Sequence, residues 1–216
     1  MIIEYGKISI SEKKKQMAEQ ILQKLPYRYC FITGSFLFKD DYKDIDVFVI
    51  TRGKKELKSY DKKINITVID FNDLHSLFYH SIKKLCLAKN ILPEKDLKVT
   101  LANYWDVVNE ATPMILNEKD RYHKEVRDLI LYTEYLKTGK IIDAFELNKK
   151  IGSFKDYSSI LDYISKEVPK VFSDKISSGY IKRFFYSQAG NYKDMLEYDA
   201  QKYLYSLSHA IIAKVA

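Results

Sequence analysis

The chain has 216 residues, of which 46% are hydrophobic and 30% charged, and its formal net charge is +7. This composition is typical of a folded globular protein and excludes an intrinsically disordered chain. The basic excess is spread over both halves of the chain. It favours partners that carry phosphate but does not distinguish between a nucleotide and a nucleic acid, and a lysine-rich surface that aids solubility explains it equally well. No apolar run is long enough to span a bilayer, and residues 1–15 lack the apolar core of a signal peptide, so we expect no membrane partner and a cytoplasmic protein.

The first part of the chain predicts a helix among several strands. Residues 2–8 are predicted to form a short edge strand, and the next segment is predicted as a helix that ends before Pro26. Ser9 and Glu12 fit a capping box at the start of that helix. Three segments dense in β-branched and aromatic residues are predicted as further strands, at 28–34, 44–50 and 65–71.

From residue 72 onwards, apolar residues recur at helical spacing. Leu74, Leu77, Phe78 and Leu85 belong to the first of these helices, which ends at Pro93. Further helices are predicted at about 94–110, 118–138, 143–151, 156–167, 174–188 and 192–214. Strands followed by a run of helices predict an α+β fold, with a mixed β-sheet and flanking helices at residues 1–93 and a C-terminal α-helical bundle at residues 94–216.

Several common sites find no support in the sequence. Cys30 and Cys86 lie on apolar faces of predicted elements, so we expect small buried thiols in a reducing compartment rather than a disulfide. No P-loop, dinucleotide-binding fingerprint or Gly-x-Ser-x-Gly nucleophile elbow occurs, which removes the commonest nucleotide-binding folds and the serine hydrolases. The pair Lys62-Lys63 could contact a triphosphate or RNA, but a solvated turn is the favoured interpretation.

Two aspartates lie in a segment that is otherwise typical of a buried strand. Asp44 and Asp46 are two residues apart, so on a strand both project from one face while Ile45 and Val47 project from the other. Adjacent carboxylates repel each other, and burying one without a partner is unfavourable. A shared divalent cation removes both problems, and oxygen ligands suit Mg²⁺ or Mn²⁺. The sequence therefore predicts a metal site at Asp44 and Asp46.

Asp70, Gly34 and Ser35 complete the predicted site. Asp70 ends the next predicted strand; if that strand lies beside the one with Asp44 and Asp46, three carboxylates can converge on one or two metal ions that assist phosphoryl or nucleotidyl displacement. Gly34 lets backbone N–H groups approach a phosphate, and Ser35 adds a hydroxyl donor. A short helix beginning there would aim its positive end at the anion.

Residues 28–71 resemble the nucleotidyltransferase superfamily related to DNA polymerase beta. The resemblance is carried by Thr33–Ser35, Asp44–Val47 and Asp70, which match the superfamily signature in order and in strand context. It implies a small member of that superfamily with a nucleotidyltransferase-type sheet and a C-terminal helical domain. It also implies a metal-dependent enzyme that transfers a nucleoside monophosphate, AMP by default, from an NTP to an acceptor hydroxyl and releases pyrophosphate.

The same resemblance implies a role for each residue. Asp44 and Asp46 would bind both metal ions, Asp70 would bind one metal ion and help to activate the acceptor, and Gly34 and Ser35 would hold the triphosphate. ATP is the default nucleotide. The acceptor is expected to be a small molecule or a protein rather than RNA, because no long basic groove can be read from the sequence. Two alternatives stay open: an RNA 3′-end nucleotidyltransferase, including a toxin type, and an inactive nucleotide- or partner-binding module of the same fold.

Overall fold

A computed structural model describes residues 2–7, 9–53, 57, 59, 61–117, 123–175, 202–203 and 206–211. The chain divides into two compact units, one formed by residues 1–98 and 141–149, the other by residues 99–140 and 150–216. The first boundary lies close to the predicted boundary after residue 93, whereas the sequence does not predict the return of 141–149 to the first unit. The helices predicted at 174–188 and 192–214 fall largely outside the described residues.

A mixed β-sheet with five strands forms the centre of the first unit. The strands are β1 (Ile3–Tyr5), β2 (Tyr29–Thr33), β3 (Ile45–Thr51), β4 (Ile64–Asp70) and β5 (Cys86–Ala88). Their spatial order is β1-β5-β2-β3-β4; β3 and β4 are parallel, and the other neighbouring strands are antiparallel. The strands predicted at 28–34, 44–50 and 65–71 are confirmed, whereas β5 forms where the sequence pattern predicts helix.

Four helical segments accompany these strands in the described part of residues 1–98. They are α1 (Glu12–Lys24), α2 (Ser35–Phe38), a 3-10 helix (Phe71–His75) and α3 (Leu77–Lys83). The cap of α1 differs from the prediction: Ser11, not Ser9, is the N-cap, and its Oγ accepts a hydrogen bond from the N–H of Lys14 at 3.4 Å. The reason is that α1 begins at Glu12, so the serine that directly precedes it is the one within reach of the first free N–H groups.

Each face of the sheet is covered by different helices. On the α1 face, strand residues such as Ile32 and Val47 pack with residues of α1 and α2. On the α3 face, strand residues such as Phe31 and Phe48 pack with residues of the 3-10 helix and α3. Cys30 lies in the α1-face core and Cys86 in the α3-face core, and both are buried free thiols, as predicted.

The described part of the second unit consists of helices. They are α4 (Leu101–Asn117), α5 (His123–Thr138) and α7 (Tyr157–Lys175), and residues 202–203 and 206–211 are also helical. One more helix, α6 (Ala144–Ile151), starts in the first unit and ends in the second. Among all the described helices, none has the length and apolar character that crossing a membrane requires.

The core of the second unit combines aromatic packing with a few buried polar groups. The rings of Tyr104 and Phe172 stack with their centroids 5.6 Å apart, and the Tyr104 hydroxyl lies 2.9 Å from the Thr133 hydroxyl. Glu134 forms an ion pair with Lys150 and accepts a hydrogen bond from Tyr163. This carboxylate therefore has a structural role in holding α5 to its neighbours in the same unit.

Candidate functional site

Gly34 lies directly against the carboxylate of Asp46. Thr33 is the register partner of Asp46 across β2 and β3, so the chain leaves β2 beside the start of β3. Gly34 adopts φ +84° and ψ −161°, a backbone conformation that is essentially restricted to glycine. A Cβ atom at Gly34 would lie 2.7 Å from Oδ2 of Asp46, so no side chain fits between them. The glycine is needed here both for its conformation and for this close approach.

Ser35 begins α2 directly after Gly34. Phe36 and Leu37 are buried in the α1-face core and fix the position of this turn. The N–H of Leu37 donates to the Gly34 carbonyl at 3.1 Å. Because α2 has only four residues, it lacks the aligned dipole of a long helix, and anion binding here would depend on local N–H groups and the Ser35 hydroxyl.

The structure brings Asp44 and Asp46 to the same end of the sheet as Gly34. Asp44 is exposed and precedes β3, whereas Asp46 is half-buried and is the second residue of β3. Asp46 lies on the α3 face, because it is separated by an even number of residues from Phe48 and Ile50, which pack there. Four of the five predicted site residues therefore lie together.

Asp70 is not brought to this place, and the prediction that it joins the two aspartates is corrected. In the parallel β3–β4 pair, Asp70 is opposite Thr51, at the far end of β3 from Asp46. Alternation along the strand also directs Asp70 to the opposite face of the sheet from Asp46. Its carboxylate accepts hydrogen bonds from the N–H of Gly53 at 2.7 Å and of Asn72 at 2.8 Å. Asp70 therefore caps the 3-10 helix and anchors the turn after β3.

Asn65 occupies the position on β4 that faces Asp46. The two residues are register partners, and Nδ2 of Asn65 donates to Oδ1 of Asp46 at 3.3 Å. Sequence reasoning missed Asn65, although its pattern was visible: Ile64-Asn65-Ile66 repeats the apolar-polar-apolar order of Ile45-Asp46-Val47. The third side chain at this site is thus a neutral amide.

The turn before β4 also lies beside the two aspartates. The N–H of Ile45 donates to the carbonyl of Lys63 at 2.8 Å, so Lys62 and Lys63 lie next to the start of β3. Both lysines are exposed. The backbone of Lys63 is therefore next to Asp44, and the solvated-turn interpretation of this lysine pair stands.

The donors at this site fit a metal ion that is bound together with phosphate. Within the described ranges, no group of three or more His, Cys, Asp or Glu side chains is arranged to hold a metal ion. Mg²⁺, however, is commonly bound by one or two carboxylates together with substrate phosphates and water. Asp44 and Asp46 are the two carboxylates that would serve that mode of binding, and Asp70 does not join them.

A separate cleft in the first unit does not contain the predicted residues. It has a volume of about 530 Å³, and its lining includes Lys7, Lys14, Phe38 and Phe145. None of Gly34, Ser35, Asp44, Asp46 or Asp70 is among its lining residues. The candidate site is therefore an open end of the sheet rather than this cleft.

No family model matches the chain, and neither the curated proteins nor the solved structures give a match.

Proposed function

We propose that this protein binds a nucleoside triphosphate, ATP by default, with Mg²⁺ or Mn²⁺ at Gly34, Ser35, Asp44 and Asp46. We propose further that it has the nucleotidyltransferase fold and transfers the nucleoside monophosphate to an acceptor hydroxyl. The observation that carries this proposal is the contact between Gly34 and Asp46, in which a Cβ atom would lie 2.7 Å from the carboxylate. Because glycine has no side chain, its backbone can approach a phosphate closely, and the neighbouring carboxylate can bind the cation that accompanies that phosphate.

The proposed reaction needs a small set of groups. The acceptor oxygen forms a bond to the α-phosphorus, the bond from that phosphorus to the oxygen bridging to the β-phosphate breaks, and pyrophosphate leaves. The acceptor proton passes to a base, which can be solvent. When bound, the divalent ion offsets the negative charge of the phosphate oxygens. Asp44 and Asp46 would hold that ion, and the Ser35 hydroxyl would orient the phosphates.

A second candidate function is nucleotide binding without transfer. It is favoured by one specific observation: the side chain opposite Asp46 is the neutral Asn65, and Asp70 is bonded elsewhere. Two carboxylates suffice for one ion together with a triphosphate. A third carboxylate would hold a second ion and help to remove the acceptor proton. Binding and transfer therefore have to be measured separately.

The binding test compares wild type, Asp46→Asn and the control Asp96→Asn, which removes the same charge from an exposed position in the first unit. Thermal unfolding is followed with each of the four NTPs and Mg²⁺, and again with a chelator. We expect a rise in the unfolding temperature that needs both NTP and metal, that persists in Asp96→Asn and that is lost in Asp46→Asn. Absence of any such rise at millimolar NTP would reject the proposed function.

The transfer test uses α-labelled NTPs with Mg²⁺ or Mn²⁺ in the presence of cell metabolites, cell protein or total RNA. Label in metabolites or protein supports the small-molecule or protein acceptor. Label at RNA 3′ ends supports an RNA-modifying enzyme instead. Metal-dependent binding without label in any fraction would favour the binding module.

A further inference from the structure

A row of aromatic rings crosses the α3 face of the sheet. The Tyr79 ring meets the Phe31 ring with a centroid distance of 6.4 Å, and Phe31 stacks on Phe48 at 5.3 Å. Phe48 in turn contacts Phe78 at 5.8 Å and an interplanar angle of 60°. Tyr79 and Phe31 are fully buried, whereas Phe78, at the end of the row, is 38% exposed. Phe78 is one of three large hydrophobic side chains exposed in the described chain.

One member of this row, Phe48, lies next to the candidate site. Phe48 lies two residues after Asp46 on β3 and on the same face, which places its Cα about 7 Å from that of Asp46. On the neighbouring strand β4, Asn65 and Thr67 are the register partners of Asp46 and Phe48, and both are exposed. The sheet surface beside Asp46 and Phe48 is therefore open along the edge strand.

We infer that Phe78 is the stacking platform for the base of the nucleoside triphosphate whose phosphates lie at Gly34, Asp44 and Asp46. This inference rests on the proposed function and extends it to a base-binding residue. The non-parallel contact with Phe48 leaves at least one face of the Phe78 ring uncovered by that neighbour. The buried row behind Phe78 holds the ring in place, so little conformational freedom is lost when a base stacks on it. Phe78 contacts Phe48, and Phe48 is the neighbour of Asp46 on the same face of β3, so one nucleotide would place its phosphates at Asp46 and its base at Phe78.

Stacking predicts little discrimination among bases, because every base presents a π-face. It also predicts that the ring contributes to the affinity for a nucleotide but not to the affinity for a triphosphate that lacks a base. Comparing these two affinities therefore tests the role of Phe78 independently of the proposed phosphate site.

The experiment measures the affinity of the full chain for ATP and for inorganic tripolyphosphate by calorimetry, each with Mg²⁺ at one fixed concentration. The variants are Phe78→Ala, Phe78→Leu and the control Phe145→Ala. Phe145 is a matched control because it is 48% exposed and makes an edge contact with Phe38 at 5.3 Å, yet it lines the separate cleft. Circular dichroism checks that each variant is folded.

We expect Phe78→Ala and Phe78→Leu to weaken ATP binding by about 5- to 100-fold while tripolyphosphate binding stays within about twofold of wild type. Phe145→Ala should bind both ligands as wild type does. Equal binding of ATP and tripolyphosphate by wild type, or no loss of ATP affinity in Phe78→Ala, would overturn the inference and leave the phosphate site standing. Failure of wild type to bind either ligand would overturn the proposed function and this inference with it.

Discussion

Replacement of Gly34 by alanine tests the contact that carries the proposed function. Gly34→Ala forces a non-glycine residue to φ +84°, which destabilises the fold by about 1–3 kcal/mol. The new Cβ would lie 2.7 Å from Oδ2 of Asp46, whereas ordinary contact begins at 3.4 Å, so the carboxylate has to move by about 0.7 Å. Mg²⁺ demands oxygen distances near 2.0–2.1 Å, so we expect a displaced carboxylate to weaken metal-dependent ATP binding by about 10- to 100-fold.

Gly53→Ala is the matched control for this prediction. Gly53 has φ +83°, nearly the same as Gly34, but a Cβ atom there meets nothing within 4 Å. Urea unfolding should give a loss of stability for both variants, larger for Gly34→Ala because its Cβ also displaces Asp46, and calorimetry with ATP and Mn²⁺ should give a loss of affinity for Gly34→Ala alone. The reasoning is refuted if Gly34→Ala keeps wild-type affinity, or if Gly53→Ala loses as much.

Four further predictions concern individual side chains. Asp70→Ala removes the acceptor for two backbone N–H groups and should lower the free energy of unfolding by about 2–4 kcal/mol without changing ATP affinity; a loss of affinity in folded protein would return Asp70 to the site. Asn65→Asp places a carboxylate directly opposite Asp46, so repulsion should lower the free energy of unfolding of the metal-free protein by about 0.2–1 kcal/mol, and Mn²⁺ affinity should rise. No change in either quantity would remove Asn65 from the site. Within the described residues Nδ2 of Asn109 is buried without a hydrogen-bond partner, so Asn109→Leu should stabilise the protein by about 1 kcal/mol in urea unfolding, and destabilisation would disprove this account. Burial raises the pKa of the Cys30 thiol to about 11, so at pH 8 it stays protonated and a thiol reagent should label it slowly in folded protein and rapidly in urea; equal rates would contradict its burial.

The strands that carry the site could be predicted from the sequence because their residues leave few alternatives. Segments such as Tyr29–Thr33 and Ile45–Thr51 are dense in β-branched and aromatic residues, and Gly34 interrupts that pattern at the place where the chain turns. β5 could not be predicted in the same way. It has only three residues, Cys86–Ala88, and they continue the apolar spacing of the preceding helix.

The position of Asp70 could not be predicted because sequence order does not give strand direction. An antiparallel β4 would have brought its last residue beside the start of β3, next to Asp46. In the parallel pair the last residue lies at the far end instead, and Asn65 takes the place beside Asp46. The length of the connection 52–63 favours the parallel arrangement, because parallel neighbours need about a dozen connecting residues, whereas a tight hairpin needs about two.

The segment 141–149 has a consequence for any attempt to produce the sheet unit alone. The buried hydroxyl of Ser81 donates to the carbonyl of Ile142 at 2.7 Å, and the Lys84 ammonium donates to the carbonyl of Ile141 at 2.6 Å. A fragment truncated after residue 98 would lose both acceptors and uncover the side chains that α6 covers. An autonomous sheet fragment therefore has to carry residues 141–149, joined to residue 98 through a linker that replaces residues 99–140.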